Sequence, residues 1–223
     1  MFSIFALFIK RNMGIAERKE REKQDIKDLI LLKAKEILIK EGQDGLSIRK
    51  LATEIEYSPA TIYLYFQDKD EILYQMMNMG FEKMAQSMAH VYTLEDPLKR
   101  IFEIGRLYIE FGLNEWEWFH LMFNSASPMN HIERCKAEWG PGIAMYDYLA
   151  SCCKEAYALQ NKLDRDPKIA ALHLWSAAHG LVTLAVTHRF CVVEDNAHEE
   201  TVRNKLIDDT LKHIMISLFD YKI

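Results

Sequence analysis

Eight residues between Ser47 and Lys69 have side chains suited to holding a polyanion and reading it: Ser47, Ser58, Pro59, Ala60, Thr61, Tyr63, Tyr65 and Lys69. The hydroxyls of Ser47 and Tyr63 and the ammonium of Lys69 can bond phosphate oxygens. Such contacts set register without reading sequence. Ala60, Thr61 and Tyr65 suit base edges, with the Thr61 methyl matched to a thymine methyl. Tyr65 could serve either purpose. Tyr63 can also sit at the edge of a core, because its ring is apolar and its hydroxyl polar.

No comparable set points to catalysis. The sequence contains no H-E-x-x-H, no G-x-S-x-G, no phosphate loop and no clustered Cys/His ligands. His173 and His179 are six apart and face different sides of a helix. His179 follows Trp175 by four, so the two rings can stack, and a satisfied core histidine is the plainer reading. The adjacent Cys152 and Cys153 lack zinc spacing, and with Cys135 and Cys191 they read as buried, reduced thiols. No catalytic residue, metal site or cofactor is expected.

The elements that must position the first set are legible around it. Ser47 is a good N-cap for a helix to about Ile55, with Ile48, Leu51, Ala52 and Ile55 on one face. Glu56, Tyr57 and Ser58 leave room only for a tight turn. Ser58 caps a second, short helix, and Pro59 suits its first position, where no N–H is missed. That helix should end near Phe66. Ile62 and Phe66 point inward, while Ala60, Thr61, Leu64 and Tyr65 cover the other side. Asp68 caps a third helix. Lys69 stands in its first turn, where a cation opposes the helix dipole and a nearby phosphate would offset the cost.

Residues Ser47, Ile48, Leu51, Ala52, Ser58, Thr61, Tyr63, Phe66 and Lys69, ending in T-I-Y-x-Y-F-x-x-K-x-x-I-L, resemble the DNA-binding domain of the TetR-like (tetracycline repressor) family. One departure is Glu56, where that family usually has Gly. If the turn needs positive φ, Glu costs on the order of 1 kcal/mol more than Gly. The stretch Trp175 to Leu181 also resembles the W-x-x-x-H-G signature of one C-terminal subclass. The resemblance implies an all-α protein with a three-helix head and a larger helical body. The body would bind a small-molecule effector and form a homodimer through its last two long helices. The head would bind a palindromic operator in double-stranded DNA as a transcriptional regulator, with repression as its expected action. It also makes an effector pocket of aromatic residues that would otherwise read as core: Phe111, Trp116, Phe119, Phe123, Trp139, Tyr146, Trp175 and His179. Their character points to an apolar or aromatic effector.

Composition agrees with an all-α fold. Hydrophobic residues make up 49%, and only 9 Gly and 5 Pro occur in 223 residues. The net charge of −5 argues against nucleic acid, but the first 70 residues carry 13 Lys+Arg against 12 Asp+Glu and the rest 15 against 21. Contacts would then concentrate on a few positions. An arm within Ala16–Lys27 could add one of Arg18, Lys19, Arg21 or Lys23 at a phosphate or the minor groove.

Residues 1–12 are apolar without spanning length and are expected to be non-structural, with Met13 as the favoured start. The head is then expected over 13–70 and the effector-binding and dimerisation body over 71–223. A first helix should reach about Glu41 and present Ile26, Ile30, Ala34, Ile37 and Leu38 to the head core. Ile72, Leu73, Met76, Met77, Met79, Met84 and Met88 form a stripe on the linking helix, expected over about Asp70–Tyr92. Later helices are expected over Asp96–Leu113, His131–Trp139, Ile143–Gln160, Asp166–Phe190 and His198–Phe219. Gly140-Pro141-Gly142 is expected as a break.

The run Ile169–Thr187 is apolar enough to raise a membrane span. His173, Ser176, His179, Gly180, Thr183 and Thr187 speak instead for a helix buried on all sides in a cytoplasmic protein. The rival to the regulator reading is a helical protein–protein interaction module with a degenerate DNA-binding head.

Overall fold

The computed structural model describes residues 14–220, so the expectations for residues 1–12 and Met13 lie outside the described residues. No strand occurs among the described residues. The chain divides into two compact units. One comprises residues up to Met76 with Ala126–Glu133, and the other Met77–Ser125 with Arg134 onward. The division therefore falls six residues after the expected one at Asp70, and a short helix from the middle of the chain joins the first unit.

In the first unit α1 spans Ile15–Glu41, α2 Ile48–Glu54 and α3 Pro59–Ile62. The helix α4, Lys69–Ser87, begins in this unit, and α7, Ala126–Cys135, contributes Ala126–Glu133. Gly42 ends α1, its N–H donating to the Leu38 carbonyl. Ile30, Ala34, Ile37 and Leu38 of α1 are buried with Leu46, Leu51, Ala52, Ile55, Ile62 and Phe66. This is the small core that the helical spacing predicts, with Leu46 added and Ile26 only half-buried. Ile72, Leu73 and Met76 are fully buried on α4. Tyr74 stacks on His131 of α7 at 4.8 Å.

The second unit contains the rest of α4, then α5 (Pro97–Asn114), α6 (Trp116–Phe123), α8 (Gly140–Leu159), α9 (Pro167–Val186) and α10 (Glu200–Phe219). Two Asp-Pro pairs start helices as expected. Asp96 accepts from Leu98 N at 2.8 Å, and Asp166 accepts from Lys168 N at 2.8 Å. Helices α5, α8, α9 and α10 pack together around Ile101, Leu149, Cys152, Cys153, Ala156, Ala171, Met215 and Phe219. Gly112 allows α5 and α9 to approach closely, since a Cβ there would stand 2.6 Å from Val182.

Several boundaries differ from the sequence reading. Helix α4 stops at Ser87 and a 3-10 turn over Ala89–Thr93 follows. The middle helix starts at Ala126, not near His131, and ends at Cys135 before Lys136 with φ 51°. Gly140-Pro141-Gly142 is no break but the first turn of α8, with Pro in its first turn where a missing N–H costs nothing. Helix α9 ends at Val186 because His188 turns left-handed at φ 55°.

Helix α9 is also not buried on all sides. Ala170, Ala171, Leu174, Ala178, Leu181, Val182 and Ala185 face the core, whereas Ile169 is 63% exposed, Leu172 48% and Leu184 40%. In a single chain the second apolar face has nothing to cover it. It is the one helix among the described residues long and apolar enough to cross a membrane, and its buried face is built into the core of the unit. Of the thiols, Cys152 and Cys153 are fully buried but Cys135 is exposed and Cys191 half-buried. Burial pushes the Cys153 thiol up to about 12.

Candidate functional site

Two sites are built, one in each unit. In the first, Ser47 caps α2 by accepting from Lys50 N at 3.2 Å, and Ser58 caps α3 by accepting from Thr61 N at 3.1 Å. Each cap satisfies an N–H that the first helical turn would otherwise leave unpaired. The Ser58 and Thr61 hydroxyls are also 3.0 Å apart, so Thr61 is held to the cap. Between the helices Glu56 has φ 59°, the left-handed conformation that favours glycine. Beyond Ile62 the chain tightens into turns that close from Leu64 N to Thr61 O and from Tyr65 N to Ile62 O. The α-helical part of the second helix is therefore shorter than the span to Phe66 expected from its periodicity.

Ile62 and Phe66 are buried and anchor this turn to the core. Pro59, Ala60, Tyr63 and Leu64 are exposed, and Thr61 and Tyr65 are half-buried. Leu64, 75% exposed, and Tyr57, 43% exposed, join the same surface and stood outside the expected contact set. Spacing places Leu64 on the outward side, whereas the exposure of Tyr57 depends on where the turn sits, which spacing alone does not give. Lys69 Nζ donates to the Gln43 carbonyl at 3.0 Å. An ammonium has three donors, so this bond ties Lys69 to the 3-10 turn after α1 and leaves capacity for a phosphate. Asp68 caps α4 by accepting from Glu71 N at 2.9 Å.

In the second unit a cavity of about 60 Å³ is walled by Phe81, Met84, Met88, Ile104, Tyr108, Phe123, Trp139, Gly142, Met145, Tyr146, Leu149 and Trp175. Four of the eight expected pocket residues line it: Phe123, Trp139, Tyr146 and Trp175. Two stand directly behind the lining. Phe119 lies 5.0 Å from the Phe123 ring, and His179 lies 3.1 Å from the Tyr108 hydroxyl. Phe111 and Trp116 do not line it. Phe111 is buried and Trp116 stacks on Phe119 at 6.0 Å. A larger groove of about 330 Å³ between α5 and α10 is lined by Arg106, Glu110, Arg203 and Asp208 and contains none of the expected aromatics.

Tyr108 is the organising residue that sequence reasoning missed as a pocket group. Trp175 Nε1 donates to its hydroxyl at 3.0 Å, and the same hydroxyl is 3.1 Å from His179 Nδ1. Burial pushes the Tyr108 phenol above its ordinary value, and the indole bond only partly opposes this. Burial also lowers His179, so its neutral form is favoured. The ring lying parallel to His179 is that of Phe119, at 5.2 Å, and not that of Trp175.

Comparison with known proteins places both units. Residues 30–76 match the model of the bacterial regulatory proteins of the tetR family, and residues 101–208 match the tetracyclin repressor-like C-terminal domain. An uncharacterized HTH-type transcriptional regulator of Haemophilus influenzae is 33% identical over 81 residues, which is 36% of this chain and 42% of that protein. A protein of unknown function from Rhodococcus sp. RHA1 has the same fold, with a TM-score of 0.67 at 22% identity over 86% of this chain and 94% of that one. AibR, in complex with isovaleryl coenzyme A and operator DNA, aligns with a TM-score of 0.53 at 18% identity over 85% and 96%.

Proposed function

The chain belongs to the TetR family of bacterial regulatory proteins, helix-turn-helix transcriptional regulators, and from that premise we propose that it is a repressor released from a palindromic operator by a small-molecule effector. The observation that carries the DNA reading is α3. It is capped by Ser58, anchored by Ile62 and Phe66, and turns Ala60, Thr61, Tyr63 and Leu64 outward within the matched segment. Ala60, Thr61 and Tyr65 read base edges. Ser47, Tyr63 and Lys69 hold phosphates, while Ser58 and Pro59 start the helix that carries them.

The functional unit is a cytoplasmic homodimer. The exposed Ile169, Leu172 and Leu184 on α9 support this, because a second copy would cover an apolar face that water otherwise meets. A two-fold dimer presents two recognition helices to successive major grooves, so the operator is a palindrome. The effector is a small apolar or aromatic molecule held in the aromatic cavity. The cavity's present volume is smaller than a ligand pocket needs, so binding must open it. Moving the dimer from mostly bound to mostly released requires about 5 kcal/mol of differential affinity between the two states. The solved AibR complex contains both an acyl thioester and operator DNA, which supports the same pairing of ligands on this fold. The convergence of Trp175 and His179 on Tyr108 supports placing the body in the W-x-x-x-H-G subclass. The chain acts by binding, not by catalysis.

The test is selection of genomic fragments by the purified full chain. Enrichment of a short palindrome supports the regulator. No enrichment even at low salt supports the rival, a protein–protein interaction module with a degenerate head.

A further inference from the structure

We infer that the effector, or the part of it that enters the cavity, is uncharged and apolar with a single hydrogen-bond acceptor, and that this acceptor pairs with the indole N–H of Trp139. The inference rests on the reading of the aromatic cavity as the effector site. Trp175 Nε1 donates to the Tyr108 hydroxyl, and that hydroxyl faces His179 Nδ1. Tyr146 donates to the Lys168 carbonyl at 2.8 Å. These polar groups are satisfied inside the protein. Trp139 Nε1 is the exception: it is buried without a partner. An indole nitrogen can only donate, and a buried donor left unpaired is disfavoured.

The position of that nitrogen is set by Gly142, itself part of the wall. A Cβ on Gly142 would lie 2.6 Å from Trp139 Nε1 and 2.3 Å from Cε2. The missing side chain lets the indole come this close to the first turn of α8. Phe81 and Trp175 hold the ring from the other directions, with centroids at 5.9 and 6.4 Å. The donor is therefore fixed by packing before any ligand arrives.

No lysine, arginine, aspartate or glutamate lines the cavity among the described residues. An ionised group placed there would lose its water without gaining a partner, which costs more than the apolar contacts return. The wall can nevertheless reshape to admit an apolar body, because Met84, Met88 and Met145 are unbranched thioethers.

The test uses four probes of one shape: ethylbenzene (no acceptor), acetophenone (neutral acceptor), benzoate (anion) and benzylamine (cation). Each is titrated calorimetrically into the full-length wild type and into a Trp139→Phe variant. In the wild type acetophenone should bind about threefold to tenfold more tightly than ethylbenzene, the range of one net hydrogen bond, and neither ion should bind. In Trp139→Phe the ethylbenzene affinity should persist and the preference for acetophenone should vanish. Each ratio is taken within one protein, so a change in stability does not imitate the result. If that variant does not fold, Trp139→Leu takes its place, and binding of either ion by the wild type still overturns the inference on its own. Binding of either ion as tightly as acetophenone overturns the inference, as does an unchanged ratio in the variant, and both leave the cavity standing as the effector site. Failure of all four probes to bind the wild type overturns the inference together with the pocket reading beneath it.

Discussion

The Tyr108 hydroxyl lies 3.1 Å from His179 Nδ1 and simultaneously accepts from Trp175 Nε1 at 3.0 Å. An indole can only donate, so the phenol oxygen accepts from Trp175 and its own proton is free to go to Nδ1 when neutral His179 carries its hydrogen on Nε2. One hydroxyl thus ties α5 to two positions on α9.

Tyr108→Phe should remove this tie at almost constant volume. It leaves the Trp175 N–H and His179 Nδ1 without their shared partner, the buried Tyr108 hydroxyl. The expected cost is about 1–3 kcal/mol in unfolding free energy, measured by urea denaturation. A change within error would mean that both groups find other partners.

The same residues give a pH dependence. Burial lowers the His179 pKa below its ordinary 6.5, so below that value the unfolded chain binds a proton that the folded chain resists. The contribution is fully present above about pH 6.5 and is lost as pH falls through the folded value. Unfolding free energy measured between pH 7 and pH 5 should fall less steeply in His179→Phe than in the wild type. Equal slopes would show that His179 titrates alike in both states.

Glu56 at φ 59° is a strained residue in the turn before α3. Glu56→Gly should raise stability by about 1 kcal/mol, the penalty of a side chain in the left-handed region less what glycine loses by its freedom when unfolded. Glu56→Ala should not, since it keeps the Cβ. Thermal midpoints of the three proteins measure this. A loss on Glu56→Gly would mean the Glu56 side chain contributes more than its backbone costs.

Ser58→Ala removes the acceptor for Thr61 N and the hydroxyl contact to Thr61 Oγ1. A stability loss of about 1 kcal/mol is expected from the cap. DNA affinity should fall as well, because the loosened turn carries the proposed contact surface. Ser58→Asp, which can still accept, should retain most of both. Denaturation and fluorescence anisotropy on a recovered operator give the two readouts.

What could be read from the sequence follows the range of the interactions. Caps at Ser47, Ser58 and Asp68 involve residues three positions away, and all three hydrogen bonds are found. The head core was legible because Ile62, Phe66 and the α1 residues obey helical spacing. Tyr108 was not, since its partners lie 67 and 71 positions along the chain and no local pattern marks them. The end of α9 was misplaced for a different reason. His188 adopts positive φ without being glycine, and residue type gives no warning of that. The second apolar face of α9 was read as buried because composition cannot distinguish a core from a surface awaiting a partner.

The proposed regulator depends on the outward face of α3 reading DNA. The most direct measurement is genomic-fragment selection by the full-length protein beside a Thr61→Ala/Tyr65→Ala variant of verified fold, followed by affinity for the recovered sequence and for a scrambled duplex at fixed salt. The wild type should enrich a palindrome and prefer it strongly to the scrambled duplex. In the variant that preference should be lost while the weaker, sequence-independent affinity from the phosphate contacts remains. Equal enrichment of the palindrome by both proteins would contradict it.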